Sequence, residues 1–289
     1  MNSRSFLVAD SRLRNRMLNE GKRIHPARWQ GIDISTRPDA AMVELLNVDL
    51  EVDLRGIESL AHWRTECQPN LPWADEHFEE RVSGQPLNPP PSWVRWPWAN
   101  SADKFRAAEK FNHTYPERYW PKRAGEDERG EMGNMRPIPN AGIRHTYGDL
   151  DDVIELMLKD PLTRQAYLPI FFPEDTGVGD GGRKPCTLGY QFIVRPDEHD
   201  EPRLHVYYPM RSCDLLRHFR DDCYLTVRLA LWMLEQLRER SDYQQSWAKT
   251  RLATLSMHMT SLHCFVGDFM LMKHEHEKAL ESRLMEGFG

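Results

Sequence analysis

Cys186 lies in the segment KPCTLGYQF and Asp222 in MRSCDLLRHFRDD, about one strand-turn-strand apart. A cysteine attacks carbon only as its thiolate. C6 of a pyrimidine is electrophilic enough to accept that attack, which turns C5 into a carbanion equivalent able to take up a one-carbon unit. Arg183 and Lys184 precede Cys186, and their charge favours the thiolate. Arg211-Ser212 sets a guanidinium beside a hydroxyl, a pairing suited to a phosphate. Asp221 and Asp222 open a long apolar run. A carboxylate only accepts hydrogen bonds, so Asp222 can hold the N4 amino group of cytosine and a proton at N3. An Asn there would suit uracil. Together these residues imply covalent chemistry on a pyrimidine nucleotide. Each also has a plainer reading. Cys186 is one cysteine among five, Arg211-Ser212 a solvated strand end, and Asp214, Asp221 and Asp222 are acids suited to helix N-termini. His263, taken by itself, is a structural histidine, and HEHE (274–277) is the solvated face of a charged helix, with no metal expected.

Positioning these side chains requires a sheet and long helices. VELLNVDLEVDL (43–54) reads as a strand, and so do RQAYLPIFF (164–172), YQFIVRP (190–196) and RLHVYYPM (203–210), with turn residues between the last three. Leu150–Asp160 has the pattern of a short amphipathic helix ending at a proline. The run from Asp221 to Arg240 is helical in period and apolar enough to be a buried central helix. A last strand, TLSMHMTSL (254–262), precedes a C-terminal helix. The segment from Gly84 to Pro97 contains five prolines and reads as loop, and residues 100–147 as an irregular insertion. Strands mixed with long helices predict an α+β fold, with helices packed on a mixed sheet.

The 289 residues suffice for one large catalytic domain spanning 1–289. A formal charge of −6 argues against broad nucleic-acid binding, which needs basic excess. No apolar run approaches a membrane span, the N-terminus lacks the apolar centre of a secretory signal, and an odd number of cysteines fits a reducing compartment. The expectation is a soluble cytoplasmic protein.

Read together, four segments resemble the thymidylate synthase superfamily. DPLTRQ (160–165) is similar to that family's DPxSRR, CTLGYQF (186–192) to its CHxxxQF, RSCD (211–214) to its RSxD, and SLHCF (261–265) to its THxY or LHVY. Within the superfamily the pattern is closest to the deoxycytidylate and cytidylate 5-hydroxymethylases, which share Cys-Thr at the nucleophile, MRSxD, FRxD and SLHVY. Asp222 falls where enzymes acting on dUMP carry Asn. The resemblance implies a thymidylate synthase-like fold whose sheet face forms a homodimer interface, with no nucleic-acid or membrane partner. It implies Cys186 as nucleophile, Arg211 and Ser212 at the 5′-phosphate, and Asp214 at the pterin of 5,10-methylenetetrahydrofolate. It also implies His263 at the sugar, Asp222 at the base, and Gln191 in the strand behind the nucleophile. Arg164 would reach across the dimer to the neighbour's phosphate, and Arg37 would complete that site. Glu58, on the first helix, takes the place of a glutamate that organises active-site water.

Some residues depart from the family pattern. Gln165 replaces a second arginine, His218 a glycine near the folate, and Phe265 a sugar-binding tyrosine, so CMP and dCMP both remain open. His113, Tyr119 and Lys122 in the insertion are candidates for contact with a 2′-hydroxyl. Only 24 residues follow Phe265, without the family's long closing tail. Hydride transfer to give a methyl group needs water excluded, and an open site favours water and a hydroxymethyl product. The alternatives are a nucleotide methylase acting on dUMP or dCMP, and a non-catalytic relative.

Overall fold

Alternating apolar runs build a mixed sheet, and longer helical runs cover one side of it. In the computed structural model, residues 2–57, 59–102, 106–107, 109–124, 147–177, 183–242 and 245–287 are described. The strands among them are β1 (Asn2–Ser3), β2 (Lys22–Ile24), β3 (Arg28–Trp29), β4 (Ile32–Asp33), β5 (Met42–Asp53), β6 (Arg106–Ala107), β7 (Lys110–Phe111), β8 (Tyr167–Pro169), β9 (Gly189–Pro196), β10 (Pro202–Met210), β11 (Cys213–Asp214) and β12 (Arg251–Phe265). The main sheet has eight strands in the order β1-β5-β12-β10-β9-β8, with β2 added on β5 and β11 on β12. β5 and β12 pair antiparallel from Thr254 opposite Asp53 to Phe265 opposite Met42. β10 and β12 run parallel. A parallel pair needs a long crossover, and the central helix Phe219–Arg240 lies in that connection.

Burial alternates along β10. Leu204, Val206 and Tyr208 are buried, whereas Tyr207 is 39% exposed. Tyr167, Gln191, Tyr207 and Ser256 lie opposite one another in register across β8, β9, β10 and β12. Residues opposite one another share a face, so this row marks the open side of the sheet. The covered side packs on the central helix, whose buried residues include Cys223, Tyr224, Val227, Leu229, Ala230 and Met233.

Among the described residues three α-helices precede residue 83: α1 (Phe6–Glu20), α2 (Leu60–Cys67) and α3 (Trp73–Val82). Ser5 caps α1, its hydroxyl accepting from Val8 N. Phe6, Ala9, Leu13 and Met17 form the buried stripe of α1. Phe6 stacks on Phe219 at 5.4 Å and meets Trp63 edge-on at 5.8 Å, which joins α1, α2 and the central helix. One apolar core runs from Phe6 to Met272.

The structure refines several expectations. The strand expected over 164–172 is regular only at Tyr167–Pro169, and the proline-rich loop contains a 3-10 turn at Pro91–Arg95. The helix expected over Leu150–Asp160 runs from Leu150 to Lys159, with Asp149 and Asp152 forming a reciprocal capping box. The described part of the insertion holds β6, β7 and a short helix, Tyr115–Tyr119. The first helix is α1, and Glu58, just before α2, lies outside the described residues. Among the described residues no helix is long and apolar enough to cross a membrane.

Candidate active site

A cavity of about 810 Å³ opens at the ends of β10, β11 and β12. That volume lies within the ordinary range for small-ligand sites, about 300–1,000 Å³. Its wall includes Cys186, Arg211, Ser212, Asp214, Asp222 and His263. Backbone pairing brings the first two together. Arg211 N donates to Cys186 O at 2.9 Å, Leu188 N donates to Pro209 O at 2.9 Å, and Thr187 bridges Met210. The cysteine segment and the Arg-Ser segment are thus zipped side by side.

The Arg211 guanidinium holds this loop in place. Nε donates to Pro185 O at 2.7 Å and Nη2 to Lys184 O at 2.9 Å, with Nη2 3.9 Å from Cys186 Sγ. Burial pushes the Cys186 thiol up. Arg211 and Arg183 oppose that shift, as does a hydrogen bond with Gln30, while Asp222 adds to it. The expected help from Arg183 is therefore real but outweighed, because the thiol is withdrawn from water.

Asp222 sits in the first turn of the central helix. Its Oδ1 accepts from Tyr208 Oη at 3.5 Å and its Oδ2 from Cys213 Sγ at 3.7 Å. Tyr208 Oη also bonds Thr187 Oγ1 at 2.8 Å, and Thr187 Oγ1 bonds Tyr115 Oη at 2.9 Å. A chain of hydroxyls therefore links Thr187, the residue after Cys186, to the carboxyl. Burial pushes Asp222 up to about 7, with Arg81 opposing and Asp221 reinforcing the shift.

Asp214 Oδ1 accepts from Leu216 N at 3.1 Å and Arg217 N at 3.0 Å, closing the turn into the central helix. Burial raises this carboxyl to about 6. His263 stands opposite Asp214 in β12, and its Nδ1 lies 3.4 Å from Ser212 Oγ. Burial, then the Arg211 charge, lowers His263 to about 4, so the ring is neutral near pH 7.

Other expected site residues lie elsewhere. Arg37 is absent from the cavity wall; its guanidinium pairs with Asp39 at 2.7 Å, because the turn at Pro38–Ala40 brings the two together on the surface. Arg28, exposed on the β3–β4 hairpin, is the arginine of this region that lines the wall. Gln191 is on the open face of the sheet, donating to Arg164 O at 3.0 Å, since its position in β9 has the opposite parity to the buried Tyr190 and Phe192. Arg164 is exposed and also lies outside the wall. Of the three candidates in the insertion, His113 reaches the cavity, with Nδ1 2.9 Å from Arg183 O. Tyr119 is packed edge-on to Tyr190 in the core, and Lys122 pairs with Asp152 at the surface. Residues 274–277 are on an exposed stretch of the C-terminal helix Val266–Gly287.

The cavity also recruits residues that pattern reading passed over. His77 and Arg81 project from α3, Tyr115 comes from the insertion, and Trp93, Trp96 and Trp98 from the proline-rich loop. The tryptophan run PSWVRWPW (91–98) was a legible signal of an aromatic wall. Trp96 stacks on His218 at 5.4 Å, and Arg217 lies over Trp98 and Phe265 at 4.5 and 4.4 Å. Arg81 is 4% exposed and lies 4.1 Å over the Tyr115 ring, and among the described residues its Nε has no hydrogen-bond partner.

The arrangement combines a thiol, cationic groups, a carboxyl able to donate or accept near neutrality, and flat aromatic walls. No protein-family model matches the chain, and no curated protein matches it.

Proposed function

We propose that the chain is a cytidylate 5-hydroxymethyltransferase with a thymidylate synthase-like fold, using a reduced folate as one-carbon donor. The observation that carries this reading is the convergence of Cys186, the segment bearing Arg211, Ser212, Asp214 and Asp222, and His263 on one cavity. Structural roles alone do not require a thiol, two carboxyls and a histidine to share one wall.

In this reading the nucleotide phosphate meets Ser212 and the exposed Arg28, while Arg211 holds the cysteine loop. Asp222 reads the base. Cytosine offers a donor at N4 and an acceptor at N3. A carboxyl poised near 7 supplies both complements, accepting from N4–H and sharing its proton with N3. The Cys186 sulfur adds to C6, which makes C5 nucleophilic. Methylenetetrahydrofolate, when bound, supplies a methylene at the oxidation level of formaldehyde. The residues present fit its flat, hydrogen-bonding pterin: the Asp214 Oδ2 atom accepts no hydrogen bond among the described residues, and Trp93, Trp96 and Trp98 provide stacking surfaces. Water then completes the 5-hydroxymethyl group, and Cys186 departs.

The expectation of a homodimer belongs to the same reading. The open face bearing Tyr167, Gln191 and Tyr207 would be covered by a second copy, and Arg164 beside it would reach the neighbouring site.

The test is to incubate the protein with methylenetetrahydrofolate and each of CMP, dCMP, UMP and dUMP, then weigh the products. A mass gain of one hydroxymethyl on a cytosine nucleotide, with release of tetrahydrofolate and loss of turnover in Cys186→Ala, is the expected result. A 5-methyl product with dihydrofolate would make the chain a methylase, and turnover by Cys186→Ala would remove the covalent mechanism.

A further inference from the structure

His77 lies on the inner side of α3 and forms part of the cavity wall, yet it is only 6% exposed. Its ring is fixed on three sides. Trp73 stacks on it at 5.1 Å with 16° between planes, and Tyr115 meets it edge-on at 6.5 Å. On the third side Nδ1 lies 3.2 Å from Glu80 Oε2. Glu80 is itself anchored by Ser92, whose backbone N–H donates to Oε1 and whose hydroxyl donates to Oε2, both at 2.5 Å. The carboxyl is held below its ordinary value: although burial opposes ionisation, hydrogen bonds from His77 and Ser92 outweigh it.

An ionised Glu80 only accepts, so Nδ1 must carry the ring proton and Nε2 must present its lone pair. Among the described residues Nε2 has no hydrogen-bond partner. A histidine whose tautomer is set by a carboxylate, with the other nitrogen free, is the arrangement of a general base. Its neighbour Tyr115 bonds Thr187, the residue after the nucleophile, so the dyad and Cys186 flank the same space.

We propose that His77 is the general base that activates water in the final addition, with Glu80 as the positioning residue that fixes its tautomer. The proposal rests on the hydroxymethyltransferase reading. After the one-carbon donor has left, the base carries a C6–S bond and an exocyclic C5=CH2. A lone pair of the water oxygen forms the C–O bond to the methylene carbon, the π pair shifts into the ring, and a water proton passes to Nε2. The ring pair then closes C5=C6 while the C6–S bond breaks, and sulfur leaves as thiolate with the bonding pair. The imidazolium returns its proton to solvent. No oxidant or reductant is consumed. Burial, then the Arg81 charge, holds the ring down to about 4, which keeps Nε2 unprotonated near pH 7, while Glu80 supports the transient cation.

The experiment separates the two halves of the reaction. Tritium release from C5 of the nucleotide reports sulfur addition and substitution at C5. The ratio of 5-hydroxymethyl product to a thioether, formed when 2-mercaptoethanol is present, reports how well water competes for the methylene. His77→Asn should keep tritium release within a few-fold of wild type, and it should lower the hydroxymethyl-to-thioether ratio by about 10²-fold, the usual contribution of a general base. Glu80→Gln should lower the ratio less, because the base remains but its tautomer is no longer fixed. An unchanged ratio in His77→Asn overturns this proposal alone. So does equal loss of both readouts in His77→Asn and His77→Gln, which would assign the residue a structural role. Absence of tritium release from all four nucleotides in the wild type would instead remove the parent reading, and this step with it.

Discussion

Asp222 makes the sharpest chemical prediction. Its ordinary value of 3.8 rises to about 7 in the folded chain because the carboxyl is withdrawn from water. The folded state therefore favours the protonated form. The stability this confers is fully present below about pH 4 and is lost as pH rises through about 7. Asp222→Asn removes the titration, so denaturant midpoints measured across that window should show wild type losing stability relative to the variant as pH rises. The same variant should favour uracil over cytosine nucleotides in kcat/KM, because an amide donates where the carboxyl accepts. The shift should be at least tenfold, given what unpaired polar groups cost in a buried site. Arg81 is the main charge opposing the shift, so Arg81→Met should move the pH limb upward. A pH dependence identical in all three proteins would show that Asp222 does not titrate in this window, and an unchanged cytosine preference in Asp222→Asn would show that another group reads the base. Cys186, Arg211 and Asp222 were legible because their chemistry and spacing are distinctive. His77 and Arg81 were not, because their meaning depends on which way α3 faces.

That dependence explains why some elements were readable and others not. β5, β9, β10 and β12 alternate over eight or more residues, and the central helix has an apolar run from Cys223 to Leu234 broken by Thr226 and Arg228, so tertiary context only confirms the local pattern. In α3 the buried set includes His77 and Arg81 along with Trp73, Ala74 and Phe78. Polar residues facing a cavity interrupt the apolar stripe that would have announced the helix. The helix Tyr115–Tyr119 is harder still, being short and stabilised from outside. Arg118 Nη1 and Nη2 donate to Asp175 Oδ2 and Oδ1 at 2.9 and 3.0 Å, with both partners buried. Removing one partner of such a pair leaves a buried charge unmatched, so Asp175→Asn should destabilise the fold by about 3–5 kcal/mol. Unfolding in urea measures this loss. The double variant Arg118→Met, Asp175→Leu should recover much of the stability. Because the pair anchors the helix that carries Tyr115, Asp175→Asn should also impair turnover in the protein that remains folded.

The sheet as a whole has one covered side and one open side, and the open side bears Tyr167 and Tyr207 in register with Gln191. Aromatic rings left facing water on two strands of one sheet face are a surface that gains by being covered. In the proposed homodimer, a two-fold axis through this face would let each copy's Arg164, beside Gln191, serve the other copy's site. This arrangement makes a prediction that no monomeric enzyme can mimic. Cys186→Ala and Arg164→Ala should each be severely impaired alone, the first for lack of a nucleophile and the second for lack of the donated cation. Mixed and allowed to exchange subunits, half of the dimers become hybrids. In a hybrid, the subunit that keeps Cys186 receives an intact Arg164 from its partner, while the other site has neither. One competent site in half of the dimers gives about a quarter of wild-type turnover. Sedimentation should find the wild type dimeric, and the regained activity should follow the exchange of subunits in time. Because neither variant can supply the other's missing group within a single chain, recovery measures donation across the interface directly; an active monomer, or a mixture no better than its parts, would place Arg164 outside the reaction.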